Sequence, residues 1–214
     1  MEAIKYRSEI DKLVQFIRMQ NFRFEHFNDR CVYEHMSAVI VDSILQAGMN
    51  YDKIVLPRVR MLIEKYDDFR TTEDFLVLIQ AKPLGQLINW RNEEKLDRIR
   101  KLTWYFYERR INQISDLQKW LRTEDNLMNL RLINGIGPKT VDYMKKLVGI
   151  DTFAVDRHLF KFLELSGVNT TDYVEAFVIY ENASLELDID KWILDKAIWD
   201  LMSTRGFLQL KLNL

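Results

Sequence analysis

One cysteine, Cys31, in 214 residues leaves no partner for an internal disulfide and no set for a four-cysteine zinc or iron–sulfur site. Histidine is nearly as scarce: His26, His35 and His158 are scattered, so no metal site and no cofactor are expected. Glycine and proline number 7 and 3, about 5% of the chain against a usual ~12%. So few turn formers argue against a sandwich or barrel of many short strands. An excess of either charge is absent too. The 31 basic and 32 acidic side chains give a formal net charge of -1, which disfavours a non-specific nucleic-acid binder. No stretch approaches ~18 uncharged apolar residues, and Met-Glu-Ala-Ile-Lys-Tyr-Arg lacks a signal-peptide core. The expectation is a cytoplasmic protein with no membrane association. What the chain does have is 48% hydrophobic residues, ample for one domain or two small lobes.

The periodicity is helical throughout. Ile4, Ile10, Leu13, Val14 and Ile17 share one face of a first helix. Residues 34–48 are densely apolar, with Gly48 placed to end a largely buried helix. A third helix is expected over 53–65. Thr72-Glu73-Asp74-Phe75 then reads as a capping box opening a helix that stops before Pro83. Leu96, Ile99, Leu102, Trp104 and Phe106 mark an amphipathic helix over 93–110, followed by a short helix over 115–121 and one capped by Thr123. Two more are expected over 172–181 and 190–202, with an apolar tail over 206–214. Together these predict an all-α protein.

The informative stretch runs from Leu127 to Leu163 and holds three of the seven glycines. Leu127, Leu130, Leu132 and Ile133 close one helix, and Pro138 suits the first position of the next because its missing N–H has no intrahelical partner there. Asn134-Gly135-Ile136-Gly137 between them makes a tight turn whose glycines can take positive φ. Such a turn is either an ordinary αα-corner or a place where a phosphate rests on bare backbone at the positive end of a helix dipole.

Two motifs in order decide between those readings. Ile133-Asn134-Gly135-Ile136-Gly137-Pro138-Lys139 and Val155-Asp156-Arg157-His158 resemble the hairpin and the apolar-Asp-x-His loop of the helix-hairpin-helix DNA glycosylases, the superfamily of endonuclease III and the 8-oxoguanine glycosylases. The resemblance implies two helical lobes with an active-site cleft between them. The central lobe would span 49–169, with the hairpin at about 127–148 and the Asp156 loop, and the second would combine 1–48 with 170–214. It also implies a bifunctional DNA glycosylase and AP lyase of base-excision repair, removing a damaged, oxidised base through a lysine Schiff base and β-elimination. A monofunctional alkylpurine glycosylase and a non-catalytic helix-hairpin-helix DNA-binding protein are the alternatives. The implied partner is double-stranded DNA carrying a damaged base or abasic site, bound by a monomer at the nucleoid.

Within that resemblance Lys139 and Asp156 are the catalytic pair. Breaking the C1′–N bond builds positive charge on the sugar, which a carboxylate stabilises, while an amine attacking C1′ forms the covalent intermediate. Lysine must lose its proton to attack, and a first-turn position such as that of Lys139 disfavours an ammonium. Asp156, 17 residues later, is equally placed to cap the helix starting at Arg157. Asn134, Gly135, Ile136 and Gly137 form the expected phosphate clamp. His158 either contacts DNA or packs. Gln46 and Asn50 are candidates to fill the gap left by a flipped nucleotide, or else cap a helix end. Trp192 and Trp199, seven apart on one helix face, are candidates with Phe207 for a base pocket, or else core. The chain departs from the family pattern in lacking the four-cysteine cluster, in Asn134 where proline is usual, and in Asp142 on the helix of Lys139. Residues 91–161 carry 15 basic and 10 acidic side chains, and 162–214 carry 4 and 9, so the near-zero net charge hides a basic hairpin-bearing segment.

Overall fold

The computed structural model describes residues 5–24 and 32–203. Among them the protein is all-helical: twelve α-helices, one π-helical turn and no strand. The chain divides into two compact units, Cys31–Ile150 and Met1–Arg30 with Asp151–Leu214. Both divisions fall earlier than the expected 48/49 and 169/170, and the patterning of two helices explains the difference. Helix α2 (Met36–Leu45) is buried at all ten positions, so it needs a core around it rather than beside it, and the Cys31–Ile150 unit supplies one. The helix after Asp156 instead buries Leu159, Phe162 and Leu163 against the N-terminal helix, with the Phe16 and Phe162 rings 5.0 Å apart.

In the Cys31–Ile150 unit, α2 is followed by a π-helical turn (Tyr51–Val55) and α3 (Leu56–Lys65), so the single helix expected over 53–65 starts with a wider coil. Gly48 has φ 73°, which lets the chain reverse after α2. Helix α4 (Thr72–Ala81) is capped one residue earlier than expected. Thr71 and Asp74 form the reciprocal box, while Thr72 is buried and its hydroxyl donates to the Ile111 carbonyl. After α5 (Leu84–Leu87), α6 (Glu93–Glu108) turns Leu96, Ile99, Leu102 and Phe106 inward. Trp104 leaves that stripe and stands 44% exposed. Helices α7 (Ile114–Trp120), α8 (Glu124–Leu130) and α9 (Pro138–Leu147) complete the unit. Thr123 stands at the cap of α8 without a side-chain cap bond, and Asp116 and Gln113 form an unforeseen box at α7.

The other unit contains α1 (Arg7–Met19), α10 (Arg157–Leu165), α11 (Tyr173–Leu187) and α12 (Lys191–Ser203). Its core gathers Ile10, Leu13 and Ile17 with Phe153, Phe162, Tyr180 and Ile198. Tyr180 is fully buried, and its hydroxyl donates to the Leu159 carbonyl at 2.7 Å, so the one polar atom of that ring is satisfied. Emptying such a site, by Phe162→Ala for instance, costs on the order of 3–5 kcal/mol.

Candidate functional site

The hairpin joins α8 to α9. Pro138 occupies the first turn of α9, and Gly137 is the N-cap, with no side chain to close the helix end. The two glycines differ. Gly135 has φ 83°, in the left-handed region, whereas Gly137 has extended backbone at φ −95°, ψ −179° that any residue can adopt. A Cβ at Gly137 would meet nothing within 4 Å, so that approach to the α9 N-terminus is open. A Cβ at Gly135 would lie 2.0 Å from Arg98 Cζ, because the Arg98 guanidinium covers the turn and donates from Nε to the Asn134 carbonyl at 2.7 Å. Ile136 is buried and its N–H goes to Ile133 O at 2.9 Å, so neither is presented outward as a clamp would require. Asn134 and Gly135 are exposed, and Leu132, expected to close α8, is 82% exposed beyond its end.

Lys139, one residue inside α9, donates from Nζ to Gln46 Oε1, and Nζ lies 5.3 Å from the Tyr143 ring centroid. Gln46 is the C-cap of α2, and its Nε2 donates to the Ser43 carbonyl. One turn along the same two helices, Asp42 faces Tyr143, whose hydroxyl donates to Asp42 Oδ1 at 3.0 Å. Lysine and tyrosine at i and i+4 on α9 thus meet glutamine and aspartate at i+4 and i on α2. Asp42 Oδ2 accepts two further hydroxyls, Tyr33 at 2.7 Å and Tyr51 at 3.1 Å. Burial pushes the Asp42 carboxyl above the usual aspartate range, while the three hydroxyls and the Lys139 charge pull it back. The Tyr143, Tyr33 and Tyr51 phenols are driven upward, by burial first and Asp42 next. Lys95 completes the surroundings: its Nζ donates to the Leu45 and Ala47 carbonyls at 2.8 and 2.7 Å, capping α2. Burial, then Arg98 and Lys139, lower its pKa. Asn50 stands apart, with its side chain accepting from Lys53 N at 2.9 Å as the N-cap of the π-helical turn.

Asp156 belongs to the other unit and does cap α10. Its Oδ1 accepts the His158 and Leu159 amides at 2.8 and 3.2 Å. The segment before it is tied to α12 by two carboxylates. Asp151 accepts from the Lys191 and Trp192 amides, and buried Asp195 accepts the Ala154 amide at 2.8 Å. The His158 ring lies edge-on to Trp199 at 6.0 Å, and Lys196 Nζ sits 4.8 Å from the same indole. Trp192 and Trp199 are half-buried rather than core. Phe207 and His26 lie outside the described residues.

No family model, curated protein or solved structure matches the chain.

Among the described residues no group of three His, Cys, Asp or Glu is placed to hold a metal ion, and no helix is long and apolar enough to cross a membrane. An open groove of about 610 Å³ adjoins the hairpin, lined among others by Arg100, Lys101, Trp104, Tyr105, Leu132 and Asn134. Sequence reasoning missed Arg98, Lys95 and the Asp42 cluster. One signal was on the page: Asp42 is the lone charge in the apolar run 36–45. A carboxylate buried on every side needs donors, and these come from nine residues to either side and from 101 residues further on.

Proposed function

We propose that this protein is a bifunctional DNA glycosylase and AP lyase that removes a damaged, oxidised base from double-stranded DNA. The observation that carries the reading is the placement of Lys139. A primary amine stands in the first turn of a helix whose N-terminus is open at Gly137, and it is held on Gln46 beside a turn in which Gly135 takes a left-handed φ of 83°. A phosphate docked at Gly137 meets the positive end of α9 and the Arg98 charge, which fixes the sugar relative to the amine.

The chemistry follows from these groups. Gln46, with Asn50 on the same connection, fills the space left by a nucleotide turned out of the stack. Lys139, as the unprotonated amine, attacks C1′, the C1′–N bond breaks, and the base leaves with its electron pair and takes a proton from water. Asp156 stabilises the positive charge that develops on the sugar and accepts the proton released from the attacking nitrogen. Asp156 passes that proton to O4′ as the C1′–O4′ bond opens and leaves an iminium. The iminium acidifies C2′, loss of the C2′ proton to water expels the 3′ phosphate, and water hydrolyses the iminium to release Lys139 from the sugar aldehyde. Half-buried Trp192 and Trp199 provide stacking faces for the extruded base. Action as a monomer on nucleoid DNA belongs to the same reading, with the basic 91–161 segment supplying local, salt-sensitive attraction.

Borohydride reduction during incubation with single-lesion and abasic duplexes tests it. Wild type is expected to form a covalent adduct that Lys139→Gln does not. Equal trapping by both removes the mechanism. Base release without an adduct identifies a monofunctional glycosylase, and tight binding with neither reaction identifies a DNA-binding module.

A further inference from the structure

Four polar side chains behind Lys139 have no part in the chemistry just described. Asp42 is wholly buried in a helix that is buried at all ten positions, and three phenol hydroxyls from three separate segments converge on it. Tyr33 precedes α2 and is tied to the end of α9 by its amide on Leu147 O at 3.0 Å. Tyr51 opens the π-helical turn, and Tyr143 stands on α9 one turn beyond Lys139. The Tyr33 and Tyr51 oxygens are themselves 3.3 Å apart.

For stability alone this is a poor arrangement, because apolar side chains of similar volume fill such a space without desolvating a carboxylate. Three O–H donors on two oxygens do what a buried anion needs: they keep the charged form accessible. The charge they preserve lies in register with an amine, since Asp42 and Gln46 are successive on α2 just as Tyr143 and Lys139 are on α9. Tyr33, Tyr51 and Tyr143 face the carboxylate, while Lys95 on α6, backed by Arg98 and Glu94, faces Lys139. Cations beside Lys139 favour its neutral form, and Asp42 opposes them.

We propose that Asp42, fixed by the hydroxyls of Tyr33, Tyr51 and Tyr143, is the buried counter-charge of Lys139 and a positioning residue that sets the pH at which this amine becomes nucleophilic. The role rests on the lyase reading above and deepens it. With Asp42 ionised, Lys139 is held as an ammonium on Gln46, aligned but inert. Neutralising the carboxyl, or withdrawing a hydroxyl that sustains its charge, releases the amine at lower pH.

Acetic anhydride labelling as a function of pH, read by mass spectrometry of the Lys139 peptide, tests the pairing without substrate. Borohydride trapping on an abasic duplex over the same pH range tests its use. Asp42→Asn is expected to move the Lys139 labelling midpoint down by about one pH unit. Tyr143→Phe is expected to move it the same way by less, because the carboxyl then loses one donor and holds its proton to higher pH. The acid limb of trapping should move with the labelling midpoint. Coincident midpoints in all three proteins, or an upward shift in Asp42→Asn, overturn the proposal. A uniform drop in trapping with an unmoved pH profile does so too, since that is what a merely structural residue produces. If labelling shifts as expected while wild type forms no adduct, the lyase reading fails and the pairing stands. If wild type forms the adduct and the variants keep its pH profile, the pairing alone fails. Should Asp42→Asn not fold, Tyr51→Phe joins Tyr143→Phe, since each removes one hydroxyl and leaves the ring.

Discussion

Gly135 and Gly137 invite one substitution each, and the structure assigns the two alanines opposite outcomes. At Gly135 a side chain must be carried at φ 83°, which costs about 1–2 kcal/mol for an L-residue. The new methyl also occupies the position of the Arg98 guanidinium, 2.0 Å from Cζ, so that side chain must swing off the Asn134 carbonyl. A hydrogen bond made by a charged donor contributes about 1.5–3 kcal/mol, part of it regained in water. The expected loss for Gly135→Ala is therefore about 2–3 kcal/mol. At Gly137 the backbone is already extended and the methyl meets nothing within 4 Å. Alanine is a poorer N-cap than glycine by several tenths of a kcal/mol, while the stiffer unfolded chain returns about 0.4–1. Gly137→Ala should accordingly be near neutral. Urea unfolding followed by tryptophan fluorescence reads the difference as a drop in midpoint of about 1 M for Gly135→Ala at unchanged slope, and little for Gly137→Ala. Fluorescence-anisotropy binding to an abasic duplex should reverse the order for the stable variant, because a methyl at Gly137 stands where the phosphate approaches, and a loss of about tenfold is expected. Equal destabilisation by both alanines refutes the conformational argument. Undiminished duplex binding by Gly137→Ala refutes the phosphate site.

Two further predictions separate capping from chemistry in the other unit. Asp156→Ala removes the acceptor of two amides and should cost about 1 kcal/mol in thermal or urea unfolding. Asp156→Ser should keep most of that stability, and both variants should lose excision in a gel-based strand-cleavage assay; a serine variant that still excises excludes Asp156 from the chemistry. Asp195→Ala leaves the buried Ala154 amide without its acceptor and should cost about 1–3 kcal/mol. It should also raise amide hydrogen exchange over residues 152–156, and protection at the wild-type level there would show that Asp195 does not hold the segment.

How much of this was readable beforehand depended on whether the determining contacts are local. Helix positions were legible because burial repeats every three to four residues, as at Ile10, Leu13, Val14 and Ile17 in α1. The cap at Asp156 and the proline at the start of α9 were legible for the same reason, since each acts within one turn. The capping box slipped by one residue because Thr71 and Thr72 offer the same hydroxyl. Only the demand of Ile111 O for a donor assigns Thr72 inward. Trp104 misled by being large and apolar, although it belongs to the solvent side of α6 with Tyr107, edge-on at 5.6 Å. Gly137 misled because a Gly-x-Gly pair suggests two unusual backbone conformations, whereas one is enough to reverse the chain. The Arg98 contact with the hairpin spans 36 residues, and those of Asp42 with Tyr33, Tyr51 and Tyr143 span 9, 9 and 101. None of these contacts lies within one helical turn, so the three-to-four-residue periodicity does not encode them.

The same long-range contacts resolve the electrostatic difficulty of the site. An amine in the first turn of α9 is set against the positive end of its own helix. The end of α2 offers the opposite field, and Lys95 already occupies its Leu45 and Ala47 carbonyls, so Lys139 takes the Gln46 side-chain oxygen instead. Arg98, itself only 13% exposed in its side chain, holds a third cation against the hairpin. Three cations so close are costly unless an anion lies among them or a ligand brings one. Glu94 meets Arg98 at 2.9 Å on the solvent side, and under the pairing proposed above Asp42 serves Lys139 from within. In the reading proposed above, the N-terminus of α9 at Gly137 takes its negative charge from a phosphate group, which has the acceptor oxygens to match it.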